Sequence, residues 1–381
     1  MNRAGDGPGP HLILQEVSAL SPGRPGGLLR EITLALASAT CLTLLGGSDG
    51  GGSLLLDVVA GQSRASHGRI TLGGIDLRGM PQHQRGLGIV SERDPLFPHL
   101  SVRGNLAFPL HARGVAKAER SRRVDGALAL LGLEALADTR PASLDAAAAI
   151  RTAIARALVF DPTLLLLDDP FGSLDPAPRL AAQRMLRRLV QARRLTVLMT
   201  TTNREEALLL GDEIGVLDAG RLHQVGPALI LLDRPATPTV ASSIGDANLL
   251  PGRIIRIDDD VALVRLACGH EMEAEPSDAE PGQGLQEGAA CVLCVRPERI
   301  ATAFVTRPGL DTGTDSLPAT LLEGVHLGDH LRLRFRLEDG TELLVRRPPS
   351  SLPGELRPDR PALLAWQPHQ ARVFADGPGW T

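Results

Sequence analysis

A short apolar segment runs directly into a glycine-rich loop in the sequence CLTLLGGSDGGGS, which spans residues 41–53. The run Cys41–Leu45 predicts a buried strand, and the apolar stretch from Ser53 onward predicts a helix. Glycines between a strand and a helix let backbone N–H groups converge on an anion at the helix N-terminus. A flexible Gly/Ser linker would have the same composition, but its flanking elements favour a phosphate-binding loop.

The spacing of this loop matches the pattern G-x-x-x-x-G-K-[ST], with Gly46, Gly51 and Ser53 in register. Gly52 stands where the pattern has lysine, and the acidic Asp49 lies inside the loop. The loop therefore lacks its central cation, and we expect weakened anion binding. The candidate cofactor-binding residues in it are Gly46, Gly47, Ser48, Asp49, Gly50, Gly51, Gly52 and Ser53.

Short apolar runs alternate with helical stretches up to about residue 235, which predicts an α/β domain with a parallel sheet. A second feature of this domain is the apolar run 164–167, which is followed by Asp168 and Asp169. One such carboxylate can hold Mg²⁺ while the other orients water. We predict strands at 41–45, 87–90, 163–168, 196–200 and 213–217, and helices at 53–60, 118–131, 145–159 and 179–194.

Beyond residue 237 the pattern changes to short alternating strands separated by acidic or Gly/Pro turns. The clearest unit is 331–337, strictly alternating, followed by an Asp-Gly turn and the run 342–346, which predicts a hairpin. A second hairpin is predicted from 254–257 and 261–266, and 276–288 is typical of an exposed loop. This region is expected to form an all-β domain.

The composition excludes several classes of protein. A length of 381 residues suits two or three domains. Lys and Arg total 40 against 44 Asp and Glu, so no overall basic field attracts nucleic acid or anionic lipid. No apolar run reaches the roughly 18 residues of a membrane span, and residues 1–10 do not have the pattern of a secretory signal. We expect a soluble or peripheral cytoplasmic protein, and its four cysteines do not suggest a disulfide framework.

The chain resembles the ATP-binding subunits of bacterial ATP-binding-cassette (ABC) importers, in the branch that serves polyamines, ferric iron, sulfate and sugars. The resemblance implies a P-loop NTPase-like cassette at 1–237, with a helical subdomain at about 95–160, and an oligonucleotide-binding-like (TOBE) regulatory barrel at 238–381. The matching stretches are 96–102, Arg151 with 155–158, 164–170, 172–175, 204–208, 218–221, 224–226, 245–251 and 295–298.

The family resemblance also implies cofactors and partners. It implies ATP and Mg²⁺, with Ser53 and Asp168 as metal ligands, and a cassette dimer, either homo- or heterodimeric. It further implies transmembrane permease subunits, a solute-binding protein that acts indirectly, and a position on the inner face of the membrane. Residues 97–114 and 245–251 look most like those of polyamine-type relatives.

Each family motif that touches nucleotide departs from its usual form. Glu92 replaces the coupling glutamine, Asp169 shortens the catalytic glutamate, and Thr202 replaces the switch histidine. Residues 19–21 lack the adenine-stacking aromatic. The signature reads Leu-Asp-Ala-Ala-Ala, which places Asp145, Ala146 and Ala147 at its phosphate-facing positions. Asp145 is a good helix N-cap, so it is expected to occupy the N–H donors that the family offers to phosphate.

These departures lead to the hypothesis of a pseudo-ATPase that keeps the cassette scaffold with impaired ATP binding and hydrolysis. A weak but functional transport ATPase is one alternative. Another is a non-enzymatic regulatory or nucleic-acid-binding protein that uses the barrel.

Two further constellations point to simpler interpretations. Cys268, His270, Cys291 and Cys294 could offer a zinc site, but residues three apart on a strand face opposite sides, so zinc is not expected. A basic stripe of Arg332, Arg334 and Arg336, with Arg346 or Arg347 on the pairing strand, could attract nucleic acid. Because stacking aromatics are nearly absent, a solvated outer face is the preferred interpretation, and nucleic acid is not an expected partner.

Overall fold

The computed structural model describes residues 10–21, 27–91, 93–258, 260–277, 285–305, 316–351 and 356–376. The chain divides into two compact units, Met1–Ala228 and Leu229–Thr381. The first has the α/β class expected from the sequence, and the second is built mainly from strands. Within the described residues, no helix is both long enough and apolar enough to cross a membrane.

The first unit contains a six-stranded sheet of order β10-β9-β3-β8-β7-β6, in which only β10 is antiparallel to its neighbour. A four-stranded antiparallel sheet of order β2-β1-β4-β5 accompanies it. The strands are β1 Pro10–Leu20, β2 Leu28–Ala37, β3 Cys41–Leu45, β4 His67–Leu72, β5 Ile75–Asp76, β6 Leu87–Val90, β7 Leu164–Asp168, β8 Val197–Thr201, β9 Glu213–Asp218 and β10 Arg221–Gly226.

Helices cover the parallel sheet, and they are α1 Gly52–Ala60, α2 Val102–Ala112, α3 Lys117–Leu131, α4 Ala146–Leu158, α5 Pro176–Arg193 and α6 Arg204–Leu210. The sequence of strand β7 is an almost unbroken apolar run because both faces of the strand are buried. Leu165 and Leu167 pack into a core with α2–α5, whereas Leu164 and Leu166 pack into a second core with α1 and the antiparallel sheet.

Most predicted elements of this unit are confirmed, and their ends need small corrections. Strands β3 and β6 have the predicted bounds. Helix α5 begins at Pro176 rather than at residue 179, because Asp175 is its N-cap and proline is favourable in the first helical turn. Strands β1 and β2 and helix α2 are absent from the sequence-based prediction.

The second unit contains a closed barrel of order β11-β12-β13-β20-β14 and a five-stranded sheet of order β15-β19-β16-β17-β18. The strands are β11 Asn248–Asp258, β12 Val261–Leu266, β13 Glu271–Pro276, β14 Ala290–Val295, β15 Ala301–Phe304, β16 Leu317–His326, β17 Leu331–Arg336, β18 Glu342–Arg347, β19 Pro361–Ala365 and β20 Ala371–Ala375.

The expected barrel of strands is present within residues 238–381, and the short helix α8 Pro238–Ile244 precedes it. This helix follows α7 Ala228–Asp233 and has a Thr237 N-cap with proline in its first turn, which is a strong local helix start. Both predicted hairpins are confirmed, β11 with β12 and β17 with β18, and Gly340 has φ 90° at the turn of the latter. Residues 278–284 of the predicted loop lie outside the described residues.

Candidate functional site

A cavity of about 240 Å³ lies at the carboxyl ends of β3, β7 and β8. This edge of a parallel sheet is where α/β proteins bind ligands. The cavity is small, and its lining of glycine backbone, hydroxyl and carboxylate groups suits a phosphate-bearing ligand. The lining residues are Leu44, Gly46, Gly47, Ser48, Gly52, Ser53, Arg93, Asp168, Asp169, Thr200, Thr201, Thr202 and Leu217.

The glycines of the phosphate loop are required by close packing and by backbone conformation. A Cβ at Gly46 would lie 2.1 Å from the carbonyl oxygen of Leu217, and Gly51 has φ 98°. Gly51 is the N-cap of α1, and no side chain caps this helix. The first N–H groups of α1 therefore have no side-chain acceptor and can receive an anion.

Three oxygen-bearing side chains meet at one carboxylate oxygen. Ser53 Oγ donates to Asp168 Oδ1 at 2.7 Å, and Thr200 Oγ1 donates to the same oxygen at 2.8 Å. A hydroxyl and a carboxylate are the hard oxygen ligands that Mg²⁺ prefers. The two predicted metal ligands, Ser53 and Asp168, are thus brought together, and they fit a metal ion bound beside phosphate.

Position 52 is crowded by the side chain of Thr200. A Cβ built on Gly52 would lie 2.9 Å from Cγ2 of Thr200, closer than real Cβ contacts. Among the described residues that line the cavity, Arg93 is the single basic residue. Its Nη1 lies 2.6 Å from Asp57 Oδ2 on α1. Sequence reasoning missed Arg93, because no motif spacing links residue 93 to residue 57.

Asp169 is held in an unusual conformation. Its φ is 41°, in the left-handed region that non-glycine residues seldom adopt, and its N–H donates to the Thr200 carbonyl at 3.1 Å. A Cβ at Gly172 would lie 2.7 Å from Asp169 Oδ2, so this carboxylate packs against the glycine. Backbone strain of this kind is concentrated at functional sites. Asp169 and the exposed Thr202 both line the cavity.

A buried carboxyl group supports the Thr-Thr-Asn loop that carries Thr202. Glu206 is 2% exposed and accepts hydrogen bonds from Gln183 Nε2, at 3.1 Å, and from Thr201 Oγ1. The N–H of Asn203 in turn donates to Thr201 Oγ1 at 3.0 Å. Burial raises the pKa of Glu206, and the charge of Asp169 adds to this rise. Sequence reasoning included Glu206 only within a matching stretch and gave it no role.

The predicted signature residues do not line this cavity, although one of their expected features is confirmed. Asp145 caps α4, and its Oδ1 accepts a hydrogen bond from the Ala148 N–H at 2.6 Å. Asp145, Ala146 and Ala147 are not among the cavity-lining residues. At the position expected to stack adenine, Leu20 is 66% exposed. Glu92 lies outside the described residues.

The cysteines of the second unit are packing residues, and the arginine stripe forms ion pairs. Cys291 belongs to the main core of the second unit and Cys294 to a separate cluster with Phe374, so the two thiols lie on opposite sides of β14 as predicted. Burial raises the pKa of both thiols to about 11. In the described part of the chain, no group of three or more His, Cys, Asp or Glu residues could hold a metal.

The basic stripe on β17 is exposed and carries its own counter-charges. Arg334 lies 2.6 Å from Glu342 and 3.5 Å from Glu323. Arg336 lies 3.9 Å from Glu342. Opposite charges on neighbouring strands are an ordinary way to stabilise a solvated sheet face.

Comparison with known proteins gives two family matches and many relatives. Residues 29–172 match the ABC transporter family, and residues 293–374 match the TOBE domain. The spermidine/putrescine import ATP-binding protein PotA 1 of Pseudomonas aeruginosa is 36% identical over 324 residues, covering 84% of this chain and 85% of that protein. The sulfate/thiosulfate import ATP-binding protein CysA of Thermosynechococcus vestitus is 34% identical, covering 83% and 85%.

A third relative, the Fe(3+) ions import ATP-binding protein FbpC of Rhizobium etli, is 31% identical, covering 84% of this chain and 88% of that protein. Among solved structures, a dimeric post-hydrolysis state of the ATP-binding cassette MJ0796 bound to ADP and Pi matches with a TM-score of 0.51 and 22% identity. It covers 57% of this chain and 98% of that chain, and it shows the cassette fold. The sequence identity and coverage of the import proteins show that this chain belongs to the ATP-binding subunits of ABC importers.

Proposed function

We propose that this chain is the cassette subunit of an importer for a polyamine-like solute, and that it binds ATP weakly and hydrolyses it slowly. One observation carries the proposal: the Ser53, Asp168 and Thr200 hydrogen-bond cluster lines the same cavity as Gly52, Asp169 and Thr202. The proposal includes a cassette dimer docked on permease subunits at the inner face of the membrane, with a solute-binding protein acting indirectly.

The residues of the cavity divide into those that suit binding and those that weaken the reaction. Mg²⁺, when bound, would neutralise phosphate charge, and Ser53 Oγ and Asp168 Oδ1 are the groups that would hold it. The uncapped N–H groups of α1 would bind phosphate oxygens. Asp169 is one methylene shorter than glutamate, so its carboxylate lies farther from the attacking water. General-base catalysis typically contributes about 10²- to 10⁴-fold to the rate, and this contribution would be reduced. Thr202 can donate a hydrogen bond but carries no charge.

The solute class rests on sequence similarity. The relatives named above import polyamines, sulfate or iron according to their names. Residues 97–114 and 245–251, which look most like the polyamine type, favour spermidine or putrescine. Uptake of labelled spermidine by cells with and without this subunit tests the choice, with labelled sulfate as the matched solute. Loss of sulfate uptake alone would contradict it.

Steady-state hydrolysis of Mg-ATP by the purified full chain tests the impaired-ATPase part. We compare the wild-type chain with the double variant Asp169→Glu/Thr202→His, and we use Ser53→Ala in each background as the control that removes a metal ligand. The double variant should turn over at least about 100-fold faster than wild type. A wild-type rate within about threefold of the double variant, abolished by Ser53→Ala, would show an ordinary ATPase and overturn the proposal.

A further inference from the structure

We propose that Arg93 supplies the phosphate-binding cation that position 52 does not provide. The inference rests on the proposed binding of ATP and adds a residue to that site. A triphosphate carries several negative charges, and the cavity already contains the carboxylates of Asp168 and Asp169. Mg²⁺ and the N–H groups of α1 would offset part of this negative charge, and a basic group would offset more of it. Of the described lining residues, Arg93 alone offers a positive charge.

The position of Arg93 is set by the same helix that begins at the phosphate loop. Its partner Asp57 lies on α1, one turn after Ser53, and the side chain of Asp57 is 12% exposed. The Arg93 side chain is 49% exposed and lines the cavity while Nη1 contacts Asp57. A guanidinium has five N–H donors in a planar fork, so one nitrogen can hold the carboxylate while others bind phosphate oxygens. Asp57 thereby acts as an anchor for the cation.

The crowding at position 52 is consistent with a phosphate-binding cation supplied from elsewhere, by the guanidinium of Arg93. Thr200 Cγ2 lies beside Gly52, so a side chain at position 52 would require Thr200 to shift. Arg93 approaches the cavity from the segment after β6 and does not require that shift. Arginine also matches phosphate geometry bidentately, which a lysine ammonium cannot do.

Isothermal titration of the full chain with Mg-ATP tests the inference. The variants are Arg93→Gln, Arg93→Lys and the matched control Arg103→Gln. Arg103 is a similarly exposed arginine, 2.6 Å from Asp125, and it does not line the cavity. Thermal unfolding without nucleotide checks that each variant folds. Inorganic tripolyphosphate is titrated in parallel, because it reports phosphate binding without the base.

Arg93→Gln should raise the Kd for Mg-ATP and for tripolyphosphate by about ten- to a hundredfold. Arg93→Lys should lie between wild type and Arg93→Gln, while Arg103→Gln should match wild type. Equal Kd values for wild type and a folded Arg93→Gln would overturn the inference. So would tighter binding by Arg93→Gln, or no wild-type binding at millimolar Mg-ATP. Absence of wild-type binding would also contradict the proposed weak ATP binding, whereas the first two results would leave the proposed function standing, since the wild-type hydrolysis rate tests it separately.

Discussion

At the scale of single residues, the methyl group of Thr200 crowds position 52. Its Cγ2 would contact a Cβ there at 2.9 Å, while its Oγ1 donates to Asp168. Thr200→Ser removes the methyl group and keeps the hydroxyl. The crowding of position 52 by Cγ2 and the hydrogen bond from Oγ1 to Asp168 depend on different atoms of Thr200. This variant therefore separates the two effects experimentally.

We predict that Gly52→Lys alone does not tighten Mg-ATP binding and lowers stability by about 1–3 kcal/mol, as overpacking does. The double variant Gly52→Lys/Thr200→Ser should bind Mg-ATP about tenfold more tightly than wild type, since the added ammonium can then reach phosphate. Titration calorimetry and thermal unfolding measure both effects, with Thr200→Ser as the control. Equal affinity gains in the single and double variants would contradict the steric argument.

A second prediction concerns Glu206 and pH. Because burial raises the pKa of this carboxyl group in the folded chain, the folded state holds its proton at pH values where the unfolded state has lost it. The free energy of unfolding should therefore fall as pH rises from about 4.3, the ordinary glutamate value, to the folded-state pKa.

Glu206→Gln keeps the size of the side chain and removes this titration, so its stability should fall less over the same pH interval. Urea unfolding of both chains at a series of pH values between 4.5 and 8 measures the difference. Parallel curves for wild type and variant would show that Glu206 does not titrate there, and Glu205→Gln, at an exposed neighbouring position, controls for net charge.

At the scale of elements, the N-termini of helices α1 and α4 differ in their capping. Helix α1 begins without a side-chain cap, whereas Asp145 caps α4 through the Ala148 N–H. The first arrangement leaves N–H donors for an anion, and the second occupies one donor and adds a negative charge. The N-terminus of α1 can therefore accept an anion, whereas the N-terminus of α4 disfavours one.

Asp145→Ala should destabilise the first unit by about 1 kcal/mol, because it removes this cap. Asp145→Ser should stay close to wild type in stability, since serine also caps well, while it removes the charge. Chemical denaturation measures both variants. A serine variant as unstable as the alanine variant would mean that the carboxylate stabilises the helix through its charge rather than through the cap.

The elements also show what sequence patterns can and cannot predict. Strands β3 and β7 were predictable because each is a continuous apolar run between loop residues. Strand β1 was not, because a bulge at Glu16, with φ 52°, shifts the inward-facing set from Leu12 and Leu14 to Val17 and Ala19. The alternation is therefore interrupted in the middle of the strand. Helix α2 was obscured by an internal proline, Pro109.

The candidate site was predictable where backbone chemistry defines it and hidden where distant segments meet. The spacing of the glycines predicted the phosphate loop, and the position of Asp168 at the end of an apolar run predicted it as a metal ligand. The contact of Arg93 with Asp57 spans 36 residues, and the crowding of Gly52 by Thr200 joins two different elements. Neither contact leaves a periodic signal in the sequence, so both required the fold.

At the scale of the whole molecule, the chain has two compact units with separate hydrophobic cores. We predict two unfolding transitions in scanning calorimetry of the full chain. Phe335→Ala should shift only the transition of the second unit, because this fully buried ring contributes about 3–5 kcal/mol to that core. Mg-ATP at 100 times its Kd should raise the free energy of unfolding of the first unit by about 2.7 kcal/mol and leave the transition of the second unit unchanged. A single transition displaced by both treatments would contradict independent units.

The contact between position 52 and Thr200 has a consequence for how such a chain can change over generations. A mutation to lysine at position 52 alone would introduce a clash with Thr200, and this clash would keep the new ammonium group from reaching phosphate. Selection for ATP turnover would then reject the first step. Under the proposed slow hydrolysis, serine at position 200 would relieve this crowding first, so the order of the two mutations would decide whether a lysine at position 52 improves ATP turnover.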